Sequence, residues 1–477
     1  MEENPLRTET PTGNAIGAHV RTIGDAVRAE LPSTGRGQAG AAAVAGSLAA
    51  LAILVDPVAA GLGLLAVAAF VVGFHRPYLL GPFVALSLPA GDAAHVLGAQ
   101  VAPLDAVVGG GAIGYVAGLA MGHERLRLRV ADWTFAVLLV LIALSTLGPV
   151  DDSDQFRELL FWGALGVVFH AVGAHVGSRR NLRLLLVALA VATLVEASFA
   201  LFEYVDRWSE RFSLLDGAIV YPLPQGTLGH PNALAQFLVL GVLAVLALAL
   251  SQQGALRRLG FLVAGVGSLA LVVTFSRASW IALAVGGFVY VIDRRSRIPV
   301  LAAGAVAVVG AAVLALLDAG AIGARVSSLF SPREGDLYDF RLELVRRAAR
   351  IVADHPFTGA GHFEEMGVYA GRPDLVTHPH NLFAGLAVFF GIPAALAFAA
   401  LVVLAIRAAW NGYRNASGAH SLTTLGFLAV LVAFLVNGLL EYPFWNASLT
   451  ALIVLVLAVA VTLDRNASEE PSWTAGS

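Results

Sequence analysis

Apolar residues in this chain come in long runs. Stretches of them cover 40–55, 57–74, 78–90, 101–121, 133–149, 157–176, 182–204, 233–251, 258–275, 279–292, 298–317, 381–406, 421–440 and 446–463. About twenty consecutive apolar residues is the length that crosses a bilayer as an α-helix. Two of the fourteen stretches, 78–90 and 279–292, are short. The pattern predicts an all-α, polytopic integral membrane protein with about 12–14 transmembrane helices.

The polar segments set the organisation. Residues 1–37 read as a cytoplasmic N-terminal segment, 38–464 as the membrane domain and 465–477 as a cytoplasmic tail. No cleavable signal peptide is visible. Within the first segment, Ile16, Val20, Ile23, Val27 and Leu31 recur at helical spacing. That stripe fits a helix lying on the membrane surface, and a partly disordered tail fits equally well. Two polar segments between spans are long, about 205–232 and about 318–380. In the second, Asp336 to Asp354 reads as an amphipathic helix ended by His355-Pro356. Leu337, Phe340, Leu344, Val345, Ala348, Ile351 and Val352 fall on its apolar face. Arg341 falls inside that face, while Arg346, Arg347 and Arg350 fall opposite and are expected in solvent.

Composition agrees. The chain has 477 residues, 58% hydrophobic and 13% charged, with mean hydropathy +0.77. Soluble domains carry roughly 25% charged residues, so the composition argues strongly against a water-soluble enzyme. Net charge is −3, which gives no nucleic-acid signal. There is no cysteine, so disulfides, thiolate metal sites and cysteine nucleophiles are excluded.

Charge also orients the spans. Short arginine-rich loops face the cytoplasm. Arg76, Arg125 to Arg129, Arg179 to Arg183, Arg257 and Arg258, Arg294 to Arg297, Arg407 and Arg414 alternate with acidic or uncharged turns such as Asp151-Asp152-Ser153-Asp154. Both termini are therefore expected inside, and the 318–380 loop outside. That loop breaks the local charge rule with Arg325, Arg333, Arg341, Arg346, Arg347, Arg350 and Arg372. Long loops are translocated regardless of charge, and one reason for the cluster is an anionic ligand at the outer face.

Several residues have the chemistry for such a ligand. Ser276-Arg277 lies between two apolar spans, where a full charge needs a partner. Guanidinium binds phosphate bidentately, and snorkelling to the interface is the structural alternative. Arg341 on an apolar face needs an anion too, either a carboxylate such as Glu203 or Glu441 or a substrate phosphate. His378-Pro379-His380-Asn381 precedes the stretch 381–406. A helix N-terminus and nearby arginines disfavour imidazolium, so His380 suits a general base, or simply caps the helix. Gly226 to Asn232 reads as a turn and helix start. Glu196 and Glu203 share one helix face, and such intramembrane acids keep a proton-coupled transporter open. His355, His362, His378 and His380 match no compact metal spacing, so no metal and no cofactor are expected.

The order of these pieces resembles the O-antigen ligase / O-antigen polymerase superfamily of bacterial membrane glycosyltransferases. They read Thr274-Phe275-Ser276-Arg277, then Arg341, then Pro356-Phe357-Thr358-Gly359-Ala360-Gly361, then His380-Asn381 with Gly391 after nine further residues. Gly226-x-x-Gly229-x-Pro231-Asn232 resembles a further element of the family. Ala394 departs from the ligase pattern, which ends there in Gly, Thr or Tyr. The resemblance covers about 220–445.

It implies a GT-C-like fold in the cytoplasmic (inner) membrane and a metal-independent, inverting glycosyl transfer at the outer leaflet. The donor would be a glycan on undecaprenyl pyrophosphate, the acceptor a hydroxyl of glycan, lipid or protein, with membrane lipids as the other partners. His380 would activate the acceptor, Arg277 and Arg341 would hold the pyrophosphate, and His378, Asn381, Ser276, Asn232 and Glu203 would be auxiliary. Ligase, polymerase and protein O-oligosaccharyltransferase remain open beside a transporter or flippase of polar solutes.

Overall fold

A computed structural model describes residues 57–90, 94–96, 99–146, 153–206, 214–215, 218–219, 223–317, 336–361, 363, 366, 368–369, 372–376 and 378–464. The surface helix expected in 1–37, the stretch 40–55, Arg325, Arg333, Thr377, His362 and the tail 465–477 lie outside the described residues.

These form an all-α membrane protein. The helices are α1 (Pro57–His75), α2 (Leu80–Ser87), α3 (Pro103–Ala120), α4 (Val130–Ser145), α5 (Ser153–His175), α6 (Arg179–Asp206), α7 (Pro231–Ser251), α8 (Gly254–Val273), α9 (Arg277–Val289), α10 (Arg294–Leu317), α11 (Asp336–Asp354), α12 (Leu382–Phe390), α13 (Ile392–Asn415), α14 (Gly418–Gly438) and α15 (Ala447–Ala460). Nine of the described helices are long and apolar enough to cross a membrane, and four shorter apolar segments accompany them. Three two-stranded ribbons sit in the connections: β1 (Ala94–Val96) with β2 (Ala99–Val101), β3 (Leu214–Leu215) with β4 (Ala218–Ile219), and β5 (Val368–Tyr369) with β6 (Arg372–Val376).

Two compact units are distinguished. One comprises 1–65 with 94–100, and its described parts are the start of α1 and the ribbon β1–β2. The other, 66–93 and 101–477, holds the remainder. Its centre is α7, every residue of which from Ala233 to Ser251 is buried. Helices α6, α8, α9 and α14 pack around it. Apolar side chains on the outside of α10 stay exposed, Val306, Val308 and Val309 among them, as expected of a surface facing lipid and not water. The second half of α1 lies backbone to backbone on α3, because side chains at Gly110 and Gly114 would collide with the carbonyls of Ala66 and Phe70. This is the close packing that small residues permit in membranes.

One expected element differs. The stretch 381–406 is not one helix. It breaks between α12 and α13 at Gly391, where φ is +86°, a conformation with ready access only for glycine. The helix expected in the long loop does form, as α11. Leu344, Ala348 and Ile351 on its apolar face pack with Ala360, Met366 and Val388 of the following turn and α12. Val345 departs from the expected face and is exposed. Arg347 remains partly exposed and also donates to the Met366 carbonyl (2.9 Å) and to Glu343 (3.1 Å).

Candidate functional site

Two sequence motifs lock together to place α12. Ala360 and Gly361 donate their amides to the carbonyls of Val388 and Phe389 (2.7 and 3.0 Å), and Ile392 donates to Pro356 (2.9 Å). A side chain at Gly391 would collide with the Phe357 carbonyl. The Pro356 to Gly361 turn and the helix break are thus one interface. Below it, buried Trp162 packs edge-on against Phe390 and Phe444.

Asn381 caps α12. Its Oδ1 accepts from the amides of Phe383 (3.1 Å) and Ala384 (3.0 Å), and its Nδ2 donates to the Leu439 carbonyl (3.2 Å). The chain enters this cap through His380, at φ +47°. Phe275 (φ +56°) enters the Ser276 cap of α9 in the same way. Among the described residues, these are the two non-glycine positions with positive φ. Strain of about 1–3 kcal/mol at such positions persists where the surroundings over-determine it, and it clusters at functional sites.

The result is a histidine–glutamate pair. His380 Nδ1 lies 2.8 Å from Glu441 Oε2. Asn232 Nδ2 donates to the other oxygen, Oε1, at 3.1 Å. The Glu441 side chain is 5% exposed and that of His380 18%. A carboxylate only accepts, so the bond assigns the proton to His380 Nδ1 and the lone pair to Nε2.

Two more imidazoles surround the pair in a different state. His378 Nδ1 accepts the His380 backbone N–H (3.2 Å), and His230 Nδ1 accepts that of Asn232 (3.1 Å). Burial, followed by the charges of His380 and His230, lowers the His378 pKa to about 3. Burial also lowers that of His230, with Glu441 opposing and His380 adding to it. The His378 ring is 4.3 Å from that of His380 and stacks on Trp445. His378 and His230 thus stay neutral, while His380 has the carboxylate behind it.

Arg277 is tied to the same place. Ser276 Oγ donates to Ser279 Oγ (3.2 Å), Asn437 Nδ2 donates to Ser279 Oγ (3.1 Å), and the Asn437 carbonyl accepts the Glu441 amide (2.9 Å). The cap of α9 is therefore bonded to the helix end that carries Glu441. Asn446, the cap of α15, reaches the Leu228 carbonyl just before α7 (3.2 Å). The starts of α7, α9, α12 and α15 thus converge, and helix starts favour anions.

The other expected residues separate. Glu203 accepts the amides of Gln225 (2.7 Å) and Gly226 (3.0 Å), while Glu196 accepts the amide and hydroxyl of Thr227. These acids hold the turn that delivers His230 and Asn232 to the site. Arg341 lies on α11, one turn before Leu344, and its side chain lies outside the described residues. His378, His380 and Glu441 each offer one ligand atom, all within 4.8 Å of one another, a set that could take a cation. In this arrangement the Nδ1 atoms of both histidines are already committed to hydrogen bonds. Glu441 as the partner of His380 had no local signal. The two are 61 residues apart, and the only hint was an acid at the end of an apolar span.

Residues 261–399 match the family described as O-Antigen ligase. The match takes in Ser276, Arg277, Arg341, His378, His380 and Asn381, and stops short of Glu441. No curated protein matches the chain. The ligase match lies over the arginine and histidine motifs of a polytopic helical protein, and it is over this segment that the chain is similar to the family.

Proposed function

We propose that the protein is a glycosyltransferase that moves a glycan from a polyprenyl pyrophosphate to an acceptor hydroxyl at the outer face of the cytoplasmic membrane. The observation that carries this reading is the His380–Glu441 hydrogen bond of 2.8 Å. Nε2 takes the proton of the acceptor hydroxyl as its oxygen attacks the anomeric carbon. Glu441 stabilises the imidazolium that forms, as the acid of a catalytic triad does. The bond from the anomeric carbon to the pyrophosphate oxygen breaks, and the polyprenyl pyrophosphate leaves. Arg277, Arg341 and the converging helix starts stabilise its charge without a metal. One displacement inverts the anomeric centre.

An apolar cavity of about 460 Å³ lies between α7, α8, α9 and α10. It begins at Trp280, one turn beyond Arg277, and follows α9 to Phe288, a rise of ~12 Å at 1.5 Å per residue. This path suits a polyprenyl chain whose pyrophosphate sits at the arginine.

The test is product analysis. The protein in liposomes is given a polyprenyl-pyrophosphate oligosaccharide, and products are read by mass spectrometry. A ladder of longer lipid-linked glycans makes it a polymerase. Transfer to an added lipid or peptide hydroxyl makes it a ligase or protein transferase. Intact donor recovered on the far side of the membrane, with no released pyrophosphate, would replace this reading with a flippase.

A further inference from the structure

A second polar assembly lies far from His380. Asn446 starts α15 beside the candidate site, and Thr462, just past the other end of that helix, lines a different cavity. Fourteen helical residues separate the two by ~21 Å. The distant cavity has a volume of about 560 Å³, and its wall includes Arg125, Arg127, Arg129, His123 and Glu124. Next to it lies a second, mostly apolar cavity of about 210 Å³, lined by Leu126, Leu128, Val116, Phe135 and Leu139 and also by Asp132 and His170. Tyr115, itself buried, forms part of both walls.

The division follows from local backbone. Residues 125–129 form no helix or turn, and Arg129 is extended (φ −97°, ψ 165°). Side chains of extended chain alternate sides. The run Arg-Leu-Arg-Leu-Arg therefore gives its three arginines to the polar cavity and its two leucines to the apolar one.

Arg129 anchors the boundary. It is buried, and its Nε and Nη2 bond Asp132 at 2.8 and 2.7 Å. Its Nη1 is buried without a hydrogen-bond partner. This atom lies over Gly173 of the polar wall, where a side chain would displace the guanidinium. Arg125 and Arg127 are exposed. The acid in the wall, Glu124, faces His175 at 3.4 Å.

We propose that this pair of cavities binds an anionic phospholipid, with its phosphate among Arg125, Arg127 and Arg129 and an acyl chain along Leu126, Leu128 and Phe135. The basic cavity alone would accept free phosphate. The adjoining apolar one selects a lipid, because an acyl chain seated there keeps its own phosphate beside the arginines.

Native mass spectrometry of the purified full chain with phosphatidylglycerol or phosphatidylcholine tests this. Phosphatidylglycerol should be retained in preference. The double variant Arg125→Gln/Arg127→Gln should weaken its binding about thirtyfold. Gly163→Leu, which points into open space in the apolar cavity, should weaken the lipid but leave competition by inorganic phosphate unchanged. Equal retention of both lipids, or an unchanged phosphatidylglycerol affinity in the double variant, overturns the proposal. So does full displacement by millimolar phosphate, which would make the site one for free anion. No binding by the full chain, with binding restored on removing residues 1–37, overturns it in favour of a contact within the chain.

Discussion

At the scale of residues, the chemistry rests on one histidine paired with one carboxylate and flanked by two further histidines. Glu441 orients His380 through Nδ1, so Glu441→Gln should keep the fold and lose rate. We expect kcat to fall by about 10²-fold or more with KM little changed, as when the acid of a triad loses its charge. Steady-state kinetics checks both, and an unchanged kcat would sink the positioning role. His378 supplies a stability prediction. Its folded pKa of about 3 lies below its unfolded value near 6.5, so the unfolded chain binds the extra proton between those pH values. Its contribution is complete above pH 6.5 and declines as pH falls toward 3. Thermal unfolding in detergent should show the wild type losing Tm on acidification more steeply than His378→Gln. In sequence, His380 and Arg277 were legible because a charge or titratable group beside a long apolar run is conspicuous. Glu441 was legible only as a possible partner of Arg341, because only the folded chain reveals its pairing with His380, 61 positions away.

At the scale of elements, the site depends on one glycine junction. Gly391 combines φ +86° with contact against the Phe357 carbonyl. Gly391→Ala should cost at least about 1–3 kcal/mol and displace α12, so that Tm and transfer rate fall together. Retained Tm and rate would show that this junction does not set the site. The spacing from His380 to Gly391 was visible in the sequence, but its physical meaning was not. An unbroken apolar run from 381 to 406 reads as one helix, and hydropathy has no term for a carbonyl arriving from residue 357. The amphipathic helix α11 was legible to the residue at both ends, since a strong 3.6-residue stripe in a polar loop has few other readings. Arg347 stays partly exposed as expected and also reaches back to Met366, a partner supplied by the turn that follows. Glu196 and Glu203 looked like proton carriers, and the structure gives them the amides of the 225–227 turn instead.

At the scale of the whole molecule, the account needs two ends with different tasks: the His380 site facing outside and the Arg125 cavity facing inside. The chain has no cysteine, so single substitutions report topology cleanly. Phe357 and Met121 are both exposed, at 77% and 68%. Phe357→Cys should react with an impermeant maleimide in intact cells, and Met121→Cys only after permeabilisation. Equal labelling of both would refute the two-sided arrangement. The bundle itself was the most legible feature, because hydropathy marks where the apolar runs lie, though not where a run such as 381–406 breaks. What hydropathy leaves open is which helix ends meet, and that is where the function resides. The most direct test of the central claim is the rate of polyprenyl-pyrophosphate release from a lipid-linked oligosaccharide, measured in liposomes with a chelator present. The account predicts release by the wild type and its loss, by at least about 10²-fold, in a folded His380→Ala protein. Release that persists in His380→Ala, or that requires an added divalent cation, would contradict it.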